Sequence, residues 1–204
     1  MNVRLTLVCH ASTRTVRAAA FPLDEPLDPQ GQAEASALAC ELRSADVAWT
    51  SPALRARQTA AALRLDAEVD HVLRDIDLGR WAGSSLSEVQ AAEPDALAAW
   101  TSETDAAPHG GESIIDLLER IAPWLDTRGS DRRRSVVVTH PSVIRAAVIL
   151  AIDANPKSFW HIDVPPLCRV ELRADGRRWT LRSIGTAGRR GAGSPTSVAQ
   201  RQSQ

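Results

Sequence analysis

The sequence has no tyrosine, only two phenylalanines and only three cysteines. It also lacks any uninterrupted apolar run approaching the roughly 18 residues that a membrane helix needs. The cysteines, Cys9, Cys40 and Cys168, are odd in number and far apart. That spacing excludes a disulfide framework and the close-set pairs of a structural zinc site, and it fits a reducing compartment. The N-terminus runs from Met1 directly into a β-like stretch, with neither a long hydrophobic region nor a small-residue cleavage site. A cytoplasmic protein with no membrane partner is therefore expected. No run of basic residues interleaves with aromatics, and 24 Lys+Arg against 25 Asp+Glu leave a formal net charge of -1. Nucleic acid is accordingly not an expected partner.

What is present suffices for one folded unit. The chain has 204 residues, 44% of them hydrophobic, enough to bury a single core without staples or a metal. Two β-branched runs, Val3 to Cys9 and Ser135 to His140, each end in a histidine-bearing turn followed by a helix-like stretch, which predicts parallel strands. Helical spacing occurs over Pro29 to Arg43, Ala53 to Leu65, Glu112 to Leu125 and Val143 to Ile152, and Asp46 to Thr50 reads as a third strand. Two further strands, Cys168 to Arg173 and Trp179 to Ile184, flank Asp175-Gly176, a hairpin signal. The expected fold class is α/β: a three-layer α-β-α sandwich on a mostly parallel sheet with an antiparallel edge strand. The domain is expected over residues 1–185. Residues 186–204, rich in Gly, Ser, Arg and Gln, are expected to form a disordered tail.

In open α/β sheets, ligands gather at strand C-termini, where the N–H groups of the following helices favour anions. His10 and His140 both sit at such turns. Around them lies an ordered series of motifs: Leu7-Val8-Cys9-His10-Ala11-Ser12-Thr13; Pro26-Leu27-Asp28-Pro29-Gln30-Gly31; Ser51-Pro52-Ala53-Leu54-Arg55-Ala56-Arg57-Gln58-Thr59-Ala60; Leu73-Arg74-Asp75-Ile76-Asp77-Leu78-Gly79; Gly110-Gly111-Glu112-Ser113; and Val137-Val138-Thr139-His140-Pro141-Ser142-Val143-Ile144-Arg145. This series resembles branch 1 of the histidine phosphatase superfamily, the group of phosphoglycerate mutases and small phosphatases such as α-ribazole phosphatase. The resemblance covers about residues 3 to 184 and implies a phosphoglycerate mutase-like fold.

The resemblance further implies two-step phosphoryl transfer from a small phosphomonoester to neutral His10 and then to water, with Arg55 and His140 as the phosphate clamp. His140 is expected to favour its cationic state beside the bound anion. The proton for the leaving group falls to Asp75, where the family usually carries Glu, with Asp77 as the alternative and ordinary solvated loop acids as the competing reading. Thr13 and Ser142 are expected in substrate binding. No metal and no cofactor is expected. The sequence departs from the family at Cys9 for Arg, Ala11 for Gly and Val16 for Asn, so two phosphate-binding side chains are missing. Arg14 and Arg17 follow His10 by four and seven residues. On a helical segment Arg17 could return a guanidinium to the pocket, against the alternative of a solvated side chain.

Cys9 lacks the backbone-amide cradle and following arginine of cysteine phosphatases and reads as a buried filler. Trp81, Trp100 and Trp124 are candidates for a pocket rim or for core, and His109 for pocket lining. A phosphatase is the expected activity. A mutase would have to retain and reorient a bisphosphate, which the missing ligands work against. The rival is a catalytically impaired relative that binds a phospho-ligand as a regulatory module.

Overall fold

Side chains alternate across a strand, so Leu5, Leu7 and Cys9 of the first strand share one face and Val8 takes the other. Both faces are buried, as a central parallel strand requires. The computed structural model describes residues 3–42 and 45–186. Its strands are β1 (Val3–Cys9), β2 (Val47–Thr50), β3 (Ala67–Val69), β4 (Arg134–Thr139), β5 (Cys168–Ala174) and β6 (Trp179–Thr186). They form one sheet of order β3-β2-β4-β1-β5-β6. β3, β2, β4 and β1 run parallel, and the antiparallel edge is the hairpin β5–β6. Asp175 caps its turn by accepting from Arg177 N and Arg178 N, and Gly176 supplies the left-handed residue at φ +89°.

Helices cover both faces: α1 (Arg14–Arg17), α2 (Pro29–Leu38), α3 (Leu54–Ala62), α4 (Leu86–Ala92), α5 (Pro94–Ser102), α6 (Ile114–Arg128) and α7 (Pro141–Ala151). Val8, Val136 and Val138 pack with Ala56, Ala60 and Leu63 on one side. Leu5, Leu7, Cys9 and Val137 pack with Leu117, Ile121, Ile144 and Val148 on the other. The result is the three-layer sandwich expected from the sequence. Helix α6 earns its place by a buried stripe through Ile114, Leu117, Leu118, Ile121, Trp124 and Leu125, and a Ser113–Asp116 capping box fixes its start.

The elements depart from the sequence reading mainly at their ends. The helix read over Pro29 to Arg43 stops at Leu38 and tightens into a 3-10 turn over Ala39–Glu41; Arg43 lies outside the described residues. β3, α4 and α5 were not read from the sequence. Thr186 is the last residue of β6, and the rest of the expected tail lies outside the described residues. Among the described residues, no helix is long and apolar enough to cross a membrane.

One close approach ties α2 to the β1–α1 turn. Asp28 caps α2 through Gly31 N at 2.6 Å and donates its own N–H to Ser12 O at 3.1 Å. A Cβ on Gly31 would stand 2.4 Å from Ser12 O, a backbone atom that cannot swing aside. Gly31→Ala is expected to lower stability by about 1–3 kcal/mol, checked by urea unfolding.

Candidate active site

β1 and β4 are parallel neighbours with Cys9 opposite Thr139, so the residues that follow them must meet. His10 N donates to Thr139 O at 2.8 Å, and the rings of His10 and His140 lie edge to face with centroids 5.3 Å apart. His10 Nδ1 is 2.8 Å from Ala11 O. A carbonyl can only accept, so Nδ1 carries the ring proton and Nε2 keeps its lone pair for attack. Arg55 Nε donates to that Nε2 at 3.3 Å. Burial, and after it the Arg55 charge, pushes the His10 pKa down to about 4, so the ring is neutral at cellular pH. Thr59 holds the turn: its Oγ1 accepts from Ala11 N at 3.0 Å and donates to Arg55 O at 2.7 Å.

Arg55 is buried in the first turn of α3 with all three nitrogens engaged: Nε on His10, one terminal nitrogen on Leu23 O at 2.9 Å and the other on Asp75 Oδ2 at 2.7 Å. His140 Nε2 meets Ser51 Oγ at 2.6 Å, while its Nδ1 lies 3.2 Å from Asp75 Oδ2 without hydrogen-bond geometry. Burial pushes His140 down to about 3, despite the opposing charge of Asp75. Without phosphate beside it His140 is thus neutral, being fully buried next to the Arg55 charge; the cationic state expected from the sequence is the one beside bound phosphate. For Asp75, burial favours the protonated form, but His140, Arg55 and the Ser142 hydroxyl outweigh it and hold the carboxyl well below its usual range.

The Asp75 loop is fixed from behind. Arg120 on α6 spans the Glu112 carboxylate, at 2.7 and 2.8 Å, and donates to the carbonyls of Val72, Arg74 and Asp75. Gly111 packs its backbone onto Asp77 O, where a Cβ would stand 2.1 Å away. The Gly-Gly-Glu motif therefore places the acid. Asp77 is exposed and accepts from Gly79 N at 2.9 Å, turned to solvent, which leaves Asp75 as the carboxylate in the site.

His10 and Asp75 open onto a cavity of about 170 Å³ that Ser142 and Arg145 also line, with Val16, Trp100, Phe159 and Trp160 on its apolar wall; Arg55 and His140 stand behind them. Of the residues expected from the sequence, His10, Arg55, Asp75, His140 and Ser142 come together. Thr13 does not line this cavity; it is buried as the N-cap of α1, accepting from Val16 N at 3.2 Å. Arg17 also stays out, contrary to the expectation of a returned guanidinium. Helix α1 begins only at Arg14 and lasts one turn, so Arg17 turns outward and pairs with Asp28 at 2.6 Å.

His109 packs against Trp81 and Trp100 at 5.0 and 5.8 Å rather than lining the pocket, and Trp81 and Trp124 belong to the core. Cys9 is fully buried, and that burial pushes its thiol far above the ordinary value. Sequence reasoning missed Ser51, Thr59, Arg120 and Arg145. Arg145 had the clearest signal, since it follows His140 by five residues and shares its motif.

The two neutral histidines give stability a pH dependence with a definite sign. Folded pKa values of about 4 and about 3 lie below the unfolded value of about 6.5, so the unfolded chain takes up more protons as pH falls. Their contribution is complete above about pH 6.5 and is lost as pH falls toward the folded values. The Tm is expected to drop between pH 6.5 and 4, less steeply in His10→Asn, as calorimetric scans would show.

Comparison with known proteins agrees with this geometry. The sequence pattern of the histidine phosphatase superfamily (branch 1) matches residues 5–187. The chain belongs to this superfamily. As a histidine phosphatase superfamily member it is 35% identical over 156 residues to a glucosyl-3-phosphoglycerate phosphatase of Mycolicibacterium vanbaalenii, covering 69% of this chain and 68% of that one. It is 29% identical over 173 residues to phosphoserine phosphatase 1 of Hydrogenobacter thermophilus, covering 78% and 80%. A bifunctional protein of Mycobacterium tuberculosis is 34% identical over 135 residues, which are 62% of this chain but only 37% of that longer protein. Among solved structures, a mycobacterial glucosyl-3-phosphoglycerate phosphatase complexed with VO3 superposes with a TM-score of 0.82 at 27% identity, covering 91% of this chain and all of that one.

Proposed function

We propose that this chain is a phosphomonoesterase that hydrolyses a small phosphorylated metabolite through a phosphohistidine on His10. The observation that carries this reading is the His10 ring. It is neutral, its proton is fixed on Nδ1 by the Ala11 carbonyl, and its Nε2 is aimed at the Arg55 guanidinium. A phosphoryl group seated against Arg55 takes the place of the Arg55 Nε–His10 Nε2 hydrogen bond and meets that lone pair. Nε2 forms the N–P bond as the ester P–O bond breaks. Water then attacks phosphorus, the N–P bond breaks, and inorganic phosphate leaves.

The leaving alkoxide takes its proton from Asp75. That carboxyl is ionised in the empty site, and the substrate changes its state. The phosphate dianion competes for Arg55 and repels the carboxylate, which raises the affinity of Asp75 for a proton. The same anion draws a proton onto His140, which then acts as a cationic clamp. In the second step the Asp75 carboxylate accepts the proton of the attacking water.

Relatives named as glucosyl-3-phosphoglycerate and phosphoserine phosphatases support a small phosphate ester as substrate. Cys9 and Ala11, where the resembled motif has Arg and Gly, are the observation behind a second reading: a phospho-ligand-binding module without turnover. Hydrolysis of a panel of small alkyl phosphates from pH 5 to 8, with acid-labile, base-stable phosphoenzyme trapped on rapid quenching, separates the two. Turnover with a trapped intermediate is expected. Phosphate binding with neither turnover nor intermediate would overturn the phosphatase reading in favour of the binding module.

A further inference from the structure

The cavity around His10 contains a second guanidinium that the mechanism above does not use. Arg145, in the second turn of α7, lines the cavity with His10, Asp75 and Ser142. Its Nε donates to Ile162 O at 2.8 Å, and its guanidinium carbon lies 5.5 Å from the ring centroids of both Phe159 and Trp160. These contacts hold the fork in one place. Among the described residues, no carboxylate oxygen lies within 4.0 Å of it, and neither terminal nitrogen has a hydrogen-bond acceptor.

A guanidinium carries five N–H donors, and here a single one is satisfied inside the protein. Burial lowers the Arg145 pKa from its ordinary value, against the favourable charges of Asp163 and Asp75, neither of which pairs with it. The fork therefore keeps donors available to an anion in the cavity that His10 lines. Arg55 has one of its three nitrogens on Leu23 O, so the two it shares with His10 and Asp75 are what a phosphoryl group can take over. A transferring phosphoryl group spreads charge over three equatorial oxygens, which leaves room for further donors beside those two nitrogens and His140. The strand end offers no help, because Cys9 is buried and uncharged. The alternative cation on α1, Arg17, is held by Asp28.

We propose that Arg145 binds the phosphoryl group directly, its two terminal nitrogens taking equatorial oxygens opposite Arg55. For turnover this rests on the phosphatase reading; for phosphate binding it does not. The test is titration calorimetry of the full chain with inorganic phosphate, comparing wild type with Arg145→Gln, Arg145→Met and Arg145→Lys, and kcat/KM on an alkyl phosphate for the same set. The methionine variant keeps the packing on Phe159 and Trp160 if glutamine disturbs the fold.

The neutral variants are expected to weaken phosphate binding at least about tenfold and to lower kcat/KM by about 10²–10³-fold, with lysine recovering part of both. A folded Arg145→Met that binds phosphate as tightly as wild type overturns the proposal, as does a wild type that binds no phosphate. If wild type hydrolyses nothing yet its phosphate affinity depends on Arg145, the phosphatase reading fails and this one stands.

Discussion

Replacing His10 with alanine is expected to reduce turnover of an alkyl phosphate on the order of 10⁴-fold or more and to abolish the trapped phosphoenzyme. The loss is this large because no neighbouring group can take over the attack. His140 has its Nε2 on Ser51, and the Cys9 thiol is buried with its pKa driven up, so almost no thiolate is present to act. The folded state should survive, since the ring's hydrogen bonds are to a backbone carbonyl and one guanidinium and its ring contact is the neighbouring His140. Far-ultraviolet dichroism and the phosphate affinity of the variant provide the control. A His10→Ala protein that still turns over at the wild-type rate would mean that the phosphoryl group is passed elsewhere, or directly to water.

The second large effect belongs to Asp75. Asp75→Asn is expected to cut kcat for alkyl phosphates by about 10²–10⁴-fold, because an alkoxide cannot leave without a proton. On p-nitrophenyl phosphate, whose phenolate leaves unprotonated, the same variant should lose less than about tenfold in the first chemical step, read as the pre-steady-state burst. Equal losses on both esters would remove Asp75 from proton transfer and leave it a purely positional part through Arg55 and Ser142. The contrast isolates chemistry from geometry, since both esters present the same phosphoryl group to the same clamp.

The fold was legible because its strongest signals are local. β1 and β4 are continuous β-branched runs ending in histidine, and α6 and α7 have long apolar faces, so their identity depends little on tertiary context. The strand Ala67–Val69 and the helices Leu86–Ala92 and Pro94–Ser102 were not legible. They are short, and their boundaries rest on a Ser85–Glu88 capping box and on Pro94, features a periodicity search passes over.

In the site, residues within recognisable motifs could be placed from sequence, even where a neighbour or the residue itself differs: His10, Arg55, His140 and Asp75. Arg17 misled because spacing from His10 assumes that a helix starts there. Thr13 delays the start of α1, and the helix ends after one turn. Arg145 and Arg120 escaped for the opposite reason. Arg120 lies on an amphipathic helix and Arg145 within the His140 motif, yet only the packing of α6 and α7 against the Asp75 and Ile162 segments gives the two guanidinia their duties.

If the chain turns over as proposed, the Arg55–Asp75 ion pair governs the end of the catalytic cycle. When inorganic phosphate sits in the cavity, the carboxylate that paired with Arg55 has lost its partner, and it regains that partner only when the product departs. The protein thus carries an internal competitor for its own product, tethered at 2.7 Å and always present. On the proposed mechanism, free phosphate must displace it to rebind, so product inhibition is held down by the same side chain that is proposed to deliver the proton, and the site resets itself for the next ester as it empties.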